Sequence, residues 1–293
     1  MSVPLPIHIP VLPAEVIEWL APQANQIFAD GTLGGGGHTR LLAERVAPDG
    51  LVIAVDRDPA ALDAATHVLA GLPIKIAQSN YDELPEVLDE LHIETVQGII
   101  LDLGLSSDQL ADDSRGFSFD ATGDLDLRFN PQRGEPAWRL VNRLSAEHLA
   151  KIIFQYGEER YSRRIARKIV EERRNGPITQ ARELARLVQK CVPRSRHERI
   201  DPATRTFQAL RIAVNDELGS LQRALERLPD RLSPGGRFAV ISFHSLEDRM
   251  IKTAFRQDAR LTVLTKKPIT AGPEETERNR RSRSAKLRVA ERL

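Results

Sequence analysis

The chain has 293 residues, a net charge of +1, 41% hydrophobic residues and one cysteine, Cys191. Length and apolar content suffice for one large or two moderate folded domains, and a disordered chain is not expected. A lone cysteine excludes an internal disulfide and a thiolate zinc site, which fits a reducing cytoplasm, and the near-neutral balance leaves any polyanion binding to local patches. No apolar run approaches the roughly 20 residues that span a bilayer. Met1-Ser2-Val3-Pro4 is not expected to open a signal peptide. The expected location is cytoplasmic, with no membrane partner.

A first strand is predicted at Gln26–Ala29, followed by Asp30-Gly31-Thr32-Leu33-Gly34-Gly35-Gly36-Gly37-His38 and a helix at Thr39–Val46. Glycines after a first strand let the chain turn tightly and let a ligand approach the backbone. The second strand, Leu51–Val55, ends in Asp56, where an acid commonly holds the two hydroxyls of a ribose. A helix follows at Pro59–Leu69, with Asp58 as cap and proline in its first turn. A strand at Ile74–Ala77, a helix at Leu84–Leu91 and a strand at Gly98–Leu103 complete the alternation. Alternating strands and helices imply a mostly parallel sheet with right-handed crossovers, an α/β fold.

The loop discriminates among cofactors. A nicotinamide dinucleotide needs Gly-x-Gly-x-x-Gly/Ala, but counting from Gly34 puts Thr39 at the third glycine position. A phosphate-cradling loop needs Lys after its last glycine, and here Gly37 precedes His38. Asp30 would repel a phosphate and suits a cationic group, such as the amine or sulfonium of S-adenosylmethionine.

From about Leu110 to Asn142 the alternation gives way to Asp, Arg, Gly and Pro. Helical patterns follow at Ser145–Gln155, Glu158–Asn175 and Ala181–Cys191. Strand character returns at Arg237–Ile241, after an expected turn at Ser233-Pro234-Gly235-Gly236, and a closing strand is expected at Lys286–Val289. The simplest organisation is a sheet domain over residues 1–108 and 206–293, with a helical domain, 109–205, inserted after the fourth strand. Ligands of open parallel sheets bind at the carboxyl ends of the strands, where the insertion departs.

Asp102-Leu103-Gly104-Leu105-Ser106-Ser107-Asp108-Gln109-Leu110 ends the fourth strand. Further stretches are His8-Ile9-Pro10-Val11-Leu12, Asp56-Arg57-Asp58, Arg115-Gly116-Phe117-Ser118-Phe119, Tyr156-Gly157-Glu158-Glu159-Arg160, the run from Pro202 to Arg211, and the run from Ile241 to Arg249. In this order, with the glycine loop, they resemble the RsmH (MraW) family of bacterial methyltransferases along nearly the whole chain. The resemblance implies a class I S-adenosylmethionine-dependent methyltransferase fold with a helical insertion for RNA recognition. It also implies N4-methylation of one cytidine of small-subunit (16S) rRNA near the decoding centre, with the assembled small subunit as partner. Carried over by position, cofactor contacts fall on Gly36, Gly37, His38, Asp56, Tyr81, Asp102 and Gln109. Tyr81 would either pack on adenine or join the core. The chain departs from the family pattern at Leu127 and Phe129, where methionine is frequent, and at Arg280, where proline is usual.

Candidates for orienting the target amine are Asp102 and a group from Ser242-Phe243-His244-Ser245, of which His244 follows the strand at Arg237–Ile241. His244 is as readily a structural hydrogen-bonding residue. Phe117 and Phe119 either stack on RNA or anchor a loop. Two arginine-rich groups suit phosphates: Arg160, Arg163, Arg164, Arg167 and Lys168, and the favoured C-terminal group Arg278, Arg280, Arg281 and Arg283. No metal site is expected. The rival readings are a small-molecule or protein methyltransferase of the same fold, a nicotinamide oxidoreductase, and a non-catalytic RNA-binding protein.

Overall fold

A computed structural model describes residues 9–193 and 201–293; His8, which opens the first motif, lies outside the described residues. Seven strands form one sheet: β1 (Ile27–Asp30), β2 (Leu51–Asp56), β3 (Ile74–Gln78), β4 (Val96–Asp102), β5 (Leu232–Ser242), β6 (Leu261–Val263) and β7 (Lys286–Arg292). Their order is β3-β2-β1-β4-β5-β7-β6, parallel except for β7, which pairs antiparallel with both neighbours. Crossovers run outward in both directions from the β1/β4 junction, so the carboxyl ends of β1 and β4 flank the switch point where doubly wound sheets bind ligands.

Continuous apolar runs make the central strands. Val52 to Val55 in β2 and Ile99 to Leu101 in β4 are fully buried, as strands covered on both faces must be. β3, at the edge, is only partly buried and leaves Lys75 and Gln78 exposed. One face is covered by α4 (Leu84–Glu90), α11 (Glu217–Arg227) and α12 (Ser245–Gln257), which contribute Leu84, Leu88, Leu221, Leu225, Ile251 and Phe255. The other packs against α1 (Pro13–Leu20) and α2 (Gly37–Val46) through Val16, Leu20, Leu42 and Val46. α3 (Pro59–Val68) begins with the expected cap: Asp58 accepts from the Ala60 amide at 3.1 Å.

Two expectations are corrected. The segment Ser233-Pro234-Gly235-Gly236 is not a turn before a strand; it lies inside β5. Val96 pairs with Leu232 and Gly98 with Arg237, so the segment bulges out of the ladder and places Pro234 where its missing N–H costs no pairing. The helix expected over 158–175 spans only Ser162–Glu172, because Glu158 adopts a left-handed φ of 49° and ends the preceding helix.

Packing divides the chain into one unit of residues 1–106 and 218–293 and a second of 107–217. The second extends past the expected return at 206, because the helix at Thr204–Asn215 packs on the helix at Ala146–Gly157. Its helices are α5 (Ser107–Ala111), α6 (Ala137–Arg143), α7 (Ala146–Gly157), α8 (Ser162–Glu172), α9 (Ala181–Cys191) and α10 (Thr204–Asn215); α13 (Pro273–Arg278) belongs to the first unit. Among the described residues, no helix is long and apolar enough to cross a membrane.

Candidate active site

The loop from β1 to α2 is held by its own acids. Asp30 is 1% exposed. One of its oxygens accepts from the Thr32 amide at 2.9 Å and hydroxyl at 3.2 Å, and the other from the Thr39 hydroxyl at 2.7 Å. It therefore braces the loop. The Thr32 hydroxyl in turn accepts from the Asp102 amide at 2.7 Å and ties the loop to the end of β4. Gly36 caps α2 with a left-handed φ of 77°, a conformation that favours glycine. A Cβ on Gly37 would come within 2.9–3.1 Å of the Pro10 ring. The glycine run is thus demanded both by backbone shape and by close packing beneath it.

Asp56 closes β2 beside this loop. Its Oδ2 accepts from the Gly34 amide at 2.8 Å and its Oδ1 from the Asp58 amide at 2.9 Å. Each oxygen keeps a lone pair for a further donor. Burial pushes the Asp56 carboxyl up to about 6, against the two backbone hydrogen bonds that favour the anion.

Asp102 ends β4 across the loop. Its Oδ2 lies 3.8 Å from His38 Nε2, on the first turn of α2. Its Oδ1 is buried and has no hydrogen-bond partner among the described residues. Burial pushes this carboxyl up to about 7; the Arg281 cation opposes the shift, and the Asp30 and Glu247 carboxylates add to it. A buried acceptor without a donor is costly in an isolated protein, and such groups are characteristic of ligand sites.

Tyr81 follows β3 on a single 3-10 turn capped by Asn80. Its backbone packs under the loop, since a Cβ on Gly31 would come within 2.7 Å of the Tyr81 Cβ. The side chain is half-buried against the sheet core, so both expected roles are compatible with its position. Gly36, Gly37, His38, Asp56, Tyr81 and Asp102 are therefore gathered at the carboxyl ends of β1 to β4. Gln109 lies on α5, in the second unit.

His244 acts as a helix cap. Its Nδ1 accepts from the Glu247 amide at 3.3 Å, while a Glu247 oxygen accepts from the Phe243 and His244 amides at 2.8 and 3.3 Å. This is a reciprocal capping box at the start of α12. Its Nε2 is 3.2 Å from the other Glu247 oxygen but makes no hydrogen bond. Of its two expected roles, these contacts match the structural one.

The C-terminal arginines are divided. Arg278, Arg280 and Arg283 are exposed, whereas Arg281 is half-buried, with its guanidinium 5.4 Å from the centre of the Phe243 ring and its charge felt by Asp102. A run of basic residues does not reveal which member turns inward; only the 3-10 turn over Arg280–Ser284 does. Phe117 stacks on Phe129 at 6.0 Å, and Phe119 meets Phe207 edge-on at 5.0 Å. They anchor the segment within the second unit.

A parallel sheet reversed at β7, a glycine loop after β1, and acids closing β2 and β4 define a class I S-adenosylmethionine-dependent methyltransferase. The family model described as "MraW methylase family" matches residues 6–293, and the chain belongs to that family. Three relatives named "Ribosomal RNA small subunit methyltransferase H" are each 50% identical. That of Rhodopirellula baltica matches over 98% of this chain and 91% of its own. That of Geobacter sulfurreducens matches over 98% and 99%, and that of Deinococcus radiodurans over 97% and 89%. Among solved structures, an rRNA methylase from Streptococcus thermophilus is 14% identical at a TM-score of 0.46, over 100% of this chain and 99% of that one, too distant to bear on function. The chain's cofactor is S-adenosylmethionine. The residues present suit it: the Asp56 carboxylate, buried and with lone pairs left over from its two backbone hydrogen bonds, and a glycine backbone that a ligand can approach closely.

Proposed function

We propose that this methyltransferase modifies small-subunit rRNA, at the N4 amino group of one cytidine near the decoding centre, with the assembled small subunit as its partner. The relatives' shared name supports the RNA class. The observation that carries the chemistry is the buried, unpartnered Oδ1 of Asp102 at the end of β4.

The N4 lone pair of cytosine is delocalised into the ring, so the amine is a poor nucleophile. The bound cofactor supplies a methyl group already activated on a sulfonium sulfur. The protein's work is placement, holding N4 at about 3–3.5 Å and in line for attack. Asp56 would hold the cofactor ribose, and the loop backbone at Gly36 and Gly37, with His38, would hold the rest. The Oδ1 of Asp102 accepts a hydrogen bond from N4–H, which orients the amine and raises its electron density. Transfer would break the sulfonium S–CH₃ bond as the N4–C bond forms, leaving the neutral thioether of S-adenosylhomocysteine, and the proton lost from N4 would pass to Asp102. The Thr32 hydroxyl bound to the Asp102 amide fixes the backbone that carries this carboxylate. Arg281 keeps the carboxylate more acidic than burial alone would leave it. The base must leave its stack to reach such a site. Arg278, Arg280 and Arg283 would contact phosphates.

The test is methyl transfer from labelled S-adenosylmethionine to small subunits from cells lacking this enzyme, with nucleosides identified by mass spectrometry. N4-methylcytidine is expected, and its loss with Asp102→Asn. Label in another nucleoside would remove the N4 assignment; label only in protein or free metabolites would remove the RNA reading.

A further inference from the structure

In the second unit, α7 and α8 pack together, and Leu149 and Ile153 of α7 and Ile165 and Ile169 of α8 are buried. Helical spacing then turns Glu147, Lys151 and Phe154 outward on α7, and Arg163 and Arg167 on α8. With Arg160 they line a groove of about 830 Å³. Its composition is unusual in two respects. Phe154 is 60% exposed and is the one aromatic among the exposed large hydrophobic side chains of the described residues. Four cations face one acid, and among the described residues none of Lys151, Arg160, Arg163 and Arg167 has an ion-pair partner.

Two neighbouring cations have partners, and within the groove Arg167 donates to the Arg163 carbonyl at 3.3 Å but meets no acid. Lys168, on the same helix, pairs with Glu171 and Glu172 at 3.2 and 3.6 Å. Arg173 donates to the carbonyl oxygens of Val141 and Leu144, each at 2.7 Å. Within the groove, four cations that have no ion-pair partner among the described residues lie beside a bare aromatic face.

We infer that this groove binds single-stranded RNA, with a base stacked on Phe154 and the flanking phosphates on Lys151, Arg163 and Arg167. A positive channel with an aromatic platform is the general solution for unpaired strands, because every base offers a π-face. A duplex hides those faces, so it would use the cations and leave Phe154 idle. A second copy of the chain would bring like charge onto like charge in a two-fold contact. The inference rests on the rRNA reading for the identity of the RNA and goes beyond it in the form bound and the residues that bind.

The experiment uses the full chain and a fluorescein-labelled single-stranded oligoribonucleotide of about ten nucleotides, followed by anisotropy at several salt concentrations. Phe154→Ala should weaken binding about tenfold, consistent with loss of one stacked base, and leave the salt slope unchanged. Phe154→Trp should retain affinity. The triple variant Lys151→Gln, Arg163→Gln, Arg167→Gln should flatten the slope of log affinity against log salt by about 2. All variants should keep the parental melting temperature and affinity for S-adenosylmethionine. A perfect duplex of the same sequence should bind independently of Phe154. The inference is overturned if the parent binds no single strand, if both altered proteins bind it like the parent, or if Phe154→Ala instead dissolves a dimer seen by sedimentation. These readouts do not involve methyl transfer. Normal rRNA methylation with unaltered oligonucleotide binding would sink the groove alone, and absent rRNA methylation would sink the proposed function alone.

Discussion

Asp102 carries the chemistry because three surroundings compete over one carboxyl. Burial holds it at about 7, nearby Asp30 and Glu247 push the same way, and Arg281 pulls back. An acceptor must be ionised, so kcat/KM is expected to rise about tenfold per pH unit below 7 and level off above. Arg281→Gln removes the opposing cation, so the midpoint should move upward, while plateau activity reports any other role of the guanidinium. An unmoved midpoint in the kcat/KM profile would detach Arg281 from Asp102. The same displacement has a stability consequence with a definite sign. The folded-state value lies above the ordinary 3.8, so the contribution is whole below about pH 4 and is lost as pH rises through about 7. At pH 8 the cost of the buried anion is at most about 4 kcal/mol, since each tenfold change in the proton equilibrium corresponds to about 1.4 kcal/mol. Asp102→Asn should therefore raise the melting temperature of the cofactor-free protein at pH 8, with little change near pH 4, while abolishing turnover. Calorimetry at the two pH values checks this; a lower melting temperature at both would show the anion to be stabilised by something other than these groups.

At the scale of elements, the two ends of the site are built differently. The loop into α2 depends on backbone shape, and the start of α12 on a side-chain cap. Gly36→Ala would place a Cβ on a residue with φ 77° and within 3.1–3.3 Å of the Leu69 side chain. A cost of about 1–2 kcal/mol is expected from the left-handed backbone alone, with weakened cofactor binding by titration calorimetry. His244→Ala should lower stability by about 1 kcal/mol, whereas His244→Asn, a good cap, should restore it. If asparagine restores stability but not turnover, His244 acts on the substrate as well as on the helix. The loop, Asp56 and Asp102 were legible in the sequence because each follows a short apolar run bounded by turn residues, the pattern of a buried strand. The bulge in β5 was not, since Pro-Gly-Gly reads as a turn until pairing on both sides is known. β6, three residues long, is too short to show a period. α10 carries its buried Phe207, Leu210 and Ile212 within a segment of mixed polarity, so its place in the second unit depended on which partner it packs against. The inward turn of Arg281 and the inward hydrogen bonds of Asp30 were equally hidden, because charge along a sequence does not fix direction.

At the scale of the molecule, the insertion has the properties of an independent fold. Residues 107–217 enclose a core in which Leu125, Val141, Leu149, Ile165, Leu184 and Leu210 are fully buried. Its irregular segment is tied down within the unit. Asn215 donates to the Leu127 carbonyl and accepts from the Phe129 amide, each at 2.7 Å. Asn142 donates to the Ile178 carbonyl at 2.7 Å and accepts from its amide at 3.0 Å. At its end, Arg211 makes a two-pronged bridge to Glu217 at 2.9 and 3.0 Å. A fragment of this size with its own core is large enough to fold alone. Expressed as residues 107–217, it should show a helical far-ultraviolet spectrum and one cooperative thermal transition. Asn215→Ala leaves the Phe129 amide and Leu127 carbonyl without their partner, so the transition should fall by about 1–3 kcal/mol in stability. A fragment that melts without a transition would mean that the insertion is held by the sheet unit and that the two fold as one.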